Sequence, residues 1–186
     1  MLHLASLVGR ALVATVLVAW LAAANPVAQS AITVSQVEWE NPPLRVSAIR
    51  GNDSADPLSD LTIDLENVSE KPVYYIDLNI SFPEWQVDGG EVGYPLQFGT
   101  REIWTKPRAA TRADAGVGPG EKVTLRLDPE MVRLLKTVAI KHGLPRLSRA
   151  TLNLSIASFG DLTEWHAGHI AASEHRPYVL LSPAPN

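Results

Sequence analysis

Apolar and polar residues alternate along several short stretches of the chain. Every second residue is apolar in residues 61–67, and the same period of two runs through residues 73–82, 123–127 and 151–156. This period puts one face of a strand in a core and the other in solvent. Less regular alternation predicts further strands over residues 32–39, 44–49, 163–170 and 178–181. Six to eight short strands separated by turn residues predict an all-β fold, an antiparallel sandwich or barrel.

One helix is predicted over residues 128–142, where the apolar residues change to helical spacing. Asp128 is a suitable N-cap, Pro129 suits the first helical position, and Glu130 is favourable at the positive end of the helix dipole. Gly143 is placed to end the helix. The helix is expected to cover an open end or edge of the sandwich with an apolar stripe made of Met131, Leu134, Leu135 and Val138.

Residues 83–120 differ in character from the rest of the chain. They hold four prolines and seven glycines without sustained periodicity, which predicts a long irregular excursion that is functional or mobile. Its aromatic residues give it enough apolar area to pack down, and one short strand is expected near residues 96–98. Exposed aromatic side chains stack on sugars or anchor partner proteins. The candidate binding residues are therefore Trp85, Tyr94 and Trp104. The alternative, which is favoured for both tryptophans, is that each belongs to the core or covers a sheet edge.

The first thirty residues have the layout of a secretory signal. A short start with one cation, Arg10, precedes an uncharged apolar run over residues 11–24, and small residues follow at Ala28 and Ser30. Cleavage of the signal peptide is expected after Ser30, and cleavage after Ala24 is the second choice. The alternative is that residues 1–30 stay uncleaved as an anchor helix. The domain then spans residues 31–181, with a flexible tail over 182–186. No later segment is long and apolar enough to span a membrane.

Composition narrows the compartment and the partners. Without residues 1–30 the chain keeps all 20 acidic and 15 of its 16 basic residues, a formal charge of −5 that argues against nucleic acid as a partner. There is no cysteine, which excludes disulfides and thiolate chemistry and fits export by a bacterium. Four Asn-x-Ser triplets matter only in a host that glycosylates; they begin at Asn52, Asn67, Asn79 and Asn153.

Four stretches resemble a group of uncharacterised exported bacterial proteins with an Ig-like β-sandwich domain. The first, residues 65–73, reads strand, Asn-x-Ser, a charged pair, Pro and an apolar strand; the others are residues 94–99, 119–121 and 159–168. The resemblance covers most of residues 61–170 and implies an exported Ig-like antiparallel β-sandwich with no known activity. Leu162 stands where this pattern has glycine, which argues against a tight backbone in that turn.

No motif for catalysis, a metal or a cofactor stands out. His166 and His169 are three residues apart, so on a strand they would point to opposite faces, and no metal site is expected. The chain has no Gly-x-Ser-x-Gly elbow and no phosphate-binding glycine loop. The sequence therefore predicts an exported, non-enzymatic binding or structural accessory domain that recognises a protein or a glycan without a cofactor. The alternative is a hydrolase that uses Asp161, Glu164 and His166 near the last turn.

Overall fold

Residues 31–105, 109–166 and 179–180 are described by a computed structural model of the chain. The predicted signal peptide, the end of the predicted strand over 163–170 and the predicted tail lie outside these ranges. The described strands are β1 (Thr33–Gln36), β2 (Leu44–Arg50), β3 (Thr62–Asn67), β4 (Tyr75–Val87), β5 (Gly90–Gly99), β6 (Lys122–Arg126), β7 (Arg149–Ser158), β8 (Glu164–His166) and β9 (Val179–Leu180). The described helices are α1 (Pro57–Asp60), α2 (Arg101–Thr105) and α3 (Pro129–Lys141). Among these residues no helix is long and apolar enough to cross a membrane.

The strands form two sheets, which confirms the all-β prediction. One sheet has the order β1-β7-β4-β5-β9, with β8 also paired to β7, and the other has the order β2-β3-β6. The prediction of wholly antiparallel strands is wrong, because β1 runs parallel to β7 and β9 runs parallel to β5. These pairs join strands far apart in sequence, so no hairpin turn forces them to be antiparallel. Side chains from both sheets share one hydrophobic core.

The alternation along the chain predicts the core face correctly in the clearest strands. Ile63 and Leu65 of β3 are buried, as are Ile76, Leu78 and Ile80 of β4. The intervening side chains of β4 are half-buried rather than fully exposed, because the outer face of this central strand has further contacts. The Asn79 amide, for example, donates a hydrogen bond of 2.6 Å to Ser155 Oγ on β7.

The prediction of an irregular excursion over residues 83–120 is wrong for its first half. Strand β4 continues to Val87 and forms a hairpin with β5 through Asp88 and Gly89, whose φ angles are 51° and 80°. Positive φ at both central residues is the mark of a tight hairpin turn, for which Asp-Gly is a strong signal. A bulge between Phe82 and Gln86 interrupts the alternation and conceals the strand in the sequence.

Helix α3 lies where the sequence predicts a helix. The Asp128 carboxylate accepts a hydrogen bond of 2.8 Å from the backbone N–H of Glu130, and Gly143 follows the last turn with a φ of 58°. Met131, Val132 and Leu135 are buried in the core, as an amphipathic helix packed on the sandwich requires.

Asn67 holds together the link between β3 and β4. Its side chain is completely buried, and Nδ2 donates hydrogen bonds of 2.8 Å to the carbonyl oxygens of Lys71 and Val117. Its Oδ1 accepts bonds from the Ser69 N–H at 2.9 Å and from the Ser69 hydroxyl at 2.7 Å. Every polar atom of this buried amide therefore has a partner, as burial demands.

Candidate functional site

The three predicted binding aromatics lie in different places. Trp85 is 3% exposed and belongs to the core, so of the two alternatives for this candidate the core position holds. Tyr94 is half-buried; it pairs with Ile80 and packs its side chain against the core from β5. Burial, with a smaller effect of Asp128, raises the pKa of Tyr94. Trp104 lies on α2 and is half-buried. The structure brings none of the three together into one aromatic patch.

Trp104 covers a tyrosine on the outer face of β4. Its ring stacks on that of Tyr75 with 5.8 Å between centroids and 1° between planes. Burial is the main cause that raises the pKa of Tyr75, whose hydroxyl donates to Asp77 at 3.3 Å. Gln97 donates to the same carboxylate at 2.9 Å. Trp104 therefore has a structural contact that accounts for its position.

The groups of the alternative hydrolase have separate partners in the β7–β8 hairpin. Asp161 lies 2.7 Å from the Lys71 ammonium, which holds the pKa of that carboxyl at about 2 with help from Thr163. Glu164 lies 2.9 Å from His166 Nε2 and accepts a weak bond of 3.5 Å from Ser158 Oγ. In a Ser-His-Asp triad the imidazole stands between hydroxyl and carboxylate. Here the carboxylate stands between the other two groups.

One of the two histidines of the possible metal site lies among the described residues. Within residues 31–105, 109–166 and 179–180, no group of three His, Asp or Glu side chains could hold a metal ion. His166 is among them and interacts with Glu164, whereas His169 lies outside the described residues.

Leu162 takes a backbone conformation that favours glycine. Its φ is 68° and its side chain is 63% exposed. The expectation that leucine argues against a tight backbone in this turn is therefore wrong. The turn is fixed from both sides: the Phe159 N–H donates to the Thr163 carbonyl at 3.0 Å, and Asp161 accepts from the Thr163 N–H at the same distance. These bonds outweigh the strain of a left-handed leucine.

An apolar groove lies at the opposite end of the sandwich from this hairpin. It encloses about 690 Å³ between α1, the C-terminal half of α3 and the end of β4. Asp56, Lys136 and Arg146 supply its charged groups. Most of the lining is apolar and includes Ile32, Leu58, Trp85, Ile140, Leu144 and Leu147. A concave, mainly apolar site with a few polar groups is the usual form of a binding site.

Two consecutive residues of β4 hold the wall of the groove formed by residues 143–147. The Trp85 indole N–H donates to the Pro145 carbonyl at 2.8 Å. The Glu84 carboxylate accepts from the Ser148 N–H at 2.9 Å, from the Ser148 hydroxyl, and from Arg149 Nε at 2.9 Å. These bonds, led by that of the Ser148 hydroxyl, lower the pKa of Glu84 to about 2. Both residues lie in the bulged part of β4, so the bulge helps to position the wall.

The groove lies in the most basic part of the chain. Residues 131–160 contain five basic residues and no acidic one, although the whole chain has a formal charge of −4. Lys136 pairs with Asp56, and Arg149 pairs with Glu84. Within the described part of the chain, Lys141 and Arg146 form no ion pair. This acid-free run was the signal in the sequence that could have located the groove.

No family model, no curated protein and no solved structure matches this chain. The geometry of the groove and the hairpin is therefore the basis for a functional inference.

Proposed function

We propose that the chain is an exported, non-enzymatic accessory domain with an Ig-like β-sandwich that binds a protein partner through the groove beside α3. The observation that carries this proposal is the apolar lining of a groove of about 690 Å³. Small-molecule and cofactor sites have volumes of about 300–1,000 Å³, so the groove has room for one or more apolar side chains of a partner. Ile140 extends the apolar surface at the rim, where its side chain is 84% exposed.

The lining favours a protein segment over a glycan. A sugar presents hydroxyl groups, and each hydroxyl that enters an apolar groove without a partner loses its hydrogen bonds to water. An apolar side chain in the same place is stabilised, because it leaves water. Arg146 has no ion-pair partner among the described residues, so an acidic side chain beside the apolar anchor would complement it.

Three contacts support a non-enzymatic role. Lys71 pairs with Asp161, His166 pairs with Glu164, and both pairs lie at the other end of the domain from the groove. The charged groups of the groove include an ion pair between Lys136 and Asp56. These contacts serve the hairpin and the anchoring of α3.

Export is proposed because residues 1–30 have the layout of a secretory signal. Ile32 is 1% exposed, and its N–H donates to the Asn52 carbonyl at 2.7 Å. Cleavage after Ser30 would keep Ile32 and this hydrogen bond in the mature protein. A bacterial host remains part of the proposal because the chain has no cysteine.

The experiment uses exported protein recovered from cells that produce the full chain. Peptides of twelve residues with three apolar and two acidic side chains are titrated while the indole N–H signal of Trp85 is followed by NMR. We expect this signal to shift, because the indole lines the groove and bonds to Pro145. Peptides with lysine in place of the acids should bind at least tenfold more weakly.

Two variants locate the binding. Ile140→Asp and Arg146→Glu change exposed groups of the rim and should each weaken binding at least fivefold. Arg126→Glu is the matched charge reversal, because Arg126 is exposed on β6 and does not line the groove. Equal binding by all three variants, or peptides that leave the Trp85 signal unmoved, would contradict the proposal.

A further inference from the structure

The exposed Leu162 is unfavourable in two respects for a surface residue of a lone domain. Its φ of 68° is strained for a leucine, and 63% of its apolar side chain faces water. Glycine would remove both disadvantages. Strain of this kind, held in place by the surrounding structure, points to a function for the side chain that is held.

The turn presents Leu162 rigidly. Gly160 packs so closely that a Cβ at this position would lie 2.6 Å from the Tyr74 ring and 2.5 Å from the Cβ of Ala110. The Ala110 N–H also donates to the Gly160 carbonyl at 2.7 Å. Lys71 ties Asp161 to the link between β3 and β4. A side chain on a turn held this firmly loses little conformational freedom when it binds.

The tip (residues 159–163) and the groove lie at opposite ends of the same two strands. Ser158, which ends β7, pairs with Tyr75, which begins β4. Trp85 is near the other end of β4, and Leu147 lies just before β7 begins. Ten residues of strand at about 3.3 Å each place the two ends about 30 Å apart.

The charges beside the tip and the groove are complementary. Asp161 in the tip and Glu164 directly after it carry two carboxylates against the one ammonium of Lys71, so these three groups together are net negative. The groove carries Lys136 and Arg146 against one carboxylate, that of Asp56, so it is net positive. Opposite signs favour the approach of a tip to a groove over the approach of two like surfaces.

We propose that the protein partner of the groove is a second copy of this chain, which inserts Leu162 between α3 and the end of β4. This inference rests on the proposed function, since it names the partner of the same groove. The two surfaces differ and lie at opposite ends, so the contact is heterologous and leaves a free tip and a free groove on every pair. Repetition of the contact builds a head-to-tail chain of domains.

The test is sedimentation velocity of the exported protein over a wide range of concentrations. The unaltered protein should form species of increasing mass as its concentration rises. Leu162→Gly should abolish this association, and so should Arg146→Glu combined with Ile140→Asp. Val37→Ser and Arg126→Glu should associate like the unaltered protein, because Val37 is an exposed apolar residue outside both surfaces.

Mixing the two defective variants gives the decisive result. Leu162→Gly keeps an intact groove and the double groove variant keeps an intact tip, so their mixture should form one-to-one dimers and nothing larger. The Leu162→Gly variant must melt no lower than the unaltered protein, which shows that its loss of association is not caused by unfolding. Raising the salt concentration should weaken the dimer, because exposed charges contribute to it.

The outcomes separate this inference from the proposed function. A protein that stays monomeric at every concentration, a Leu162→Gly variant that still associates, or a mixture without dimers overturns the inference. If the acidic peptides nevertheless shift the Trp85 signal, the groove still binds protein and only the second copy is wrong as the partner. If neither the peptides nor a second copy binds, both proposals fall.

Discussion

Replacing Glu84 with glutamine tests how the wall of the groove is held. The Glu84 carboxylate accepts three hydrogen bonds from Ser148 and Arg149, and its side chain is only 15% exposed. Hydrogen bonds to a charged group contribute about 1.5–3 kcal/mol, against about 1 kcal/mol for neutral ones. Glutamine keeps one acceptor oxygen and loses the charge. We therefore expect Glu84→Gln to lower the free energy of unfolding at pH 7 by about 2 kcal/mol.

The loss of unfolding free energy caused by Glu84→Gln should become smaller as the pH falls. The pKa of Glu84 falls from its ordinary value of 4.5 to about 2 in the folded protein, so the folded state favours the charged form. This contribution to stability is present above pH 4.5 and is lost as the pH falls through the range down to about 2. The difference between the unaltered protein and the variant should therefore shrink over that range. Asp161, whose pKa is also about 2, contributes equally to both proteins and cancels.

The measurement is urea denaturation of both proteins at pH 7, 4.5 and 2.5, followed by circular dichroism. Glu102→Gln is the matched control, because Glu102 is exposed on α2 and should cost less than about 0.5 kcal/mol. A difference that stays constant from pH 7 to 2.5 would refute the electrostatic explanation. A difference near zero at pH 7 would refute the assignment of Glu84 as a support of the wall.

Other substitutions test the core, the tip and export. Leu78→Ala should lower the free energy of unfolding by about 2–5 kcal/mol in urea denaturation, because Leu78 is completely buried. Asn79→Ala should lower it by only about 0.5–1.5 kcal/mol, through loss of the bond to Ser155. Equal losses at the two positions would mean that the strand register is wrong. Leu162→Gly should raise the melting temperature slightly or leave it unchanged. The glycine relieves about 1–2 kcal/mol of backbone strain, and the greater freedom of the unfolded chain offsets part of this gain. A clear drop in the melting temperature would contradict the strain. N-terminal sequencing of the exported protein should begin at Ala31 or Asn25, and an intact Met1 in a cytoplasmic fraction would contradict export.

The sequence predicts best where burial alone selects the residues. In β3 and β4 one face packs on the opposite sheet, so apolar side chains recur every second residue and the pattern is visible without the structure. The same holds for α3, where capping by Asp128 adds a local signal at the helix start.

The second half of β4 was missed because the bulge shifts the buried face from Phe82 to Trp85 and breaks the alternation. The parallel pairing of β1 with β7 was missed because strand order depends on contacts between distant residues. The groove was missed for the same reason: α3 and the end of β4 are remote in sequence and meet only in the fold. Trp85 is a candidate from the sequence, but it is buried and lines the groove from the core.

The completely buried amide of Asn67 has a consequence for producing the protein. Asn67, Val68 and Ser69 form an acceptor sequence for N-linked sugars, and a host that attaches them does so while the chain is still extended. A sugar on Nδ2 would remove a hydrogen that bonds to Lys71 or Val117 and would require room where there is none. Expression in a eukaryotic secretory pathway should therefore yield misfolded protein, and Asn67→Gln would not repair it, because the longer side chain cannot make the same four bonds. Bacterial expression avoids the problem entirely.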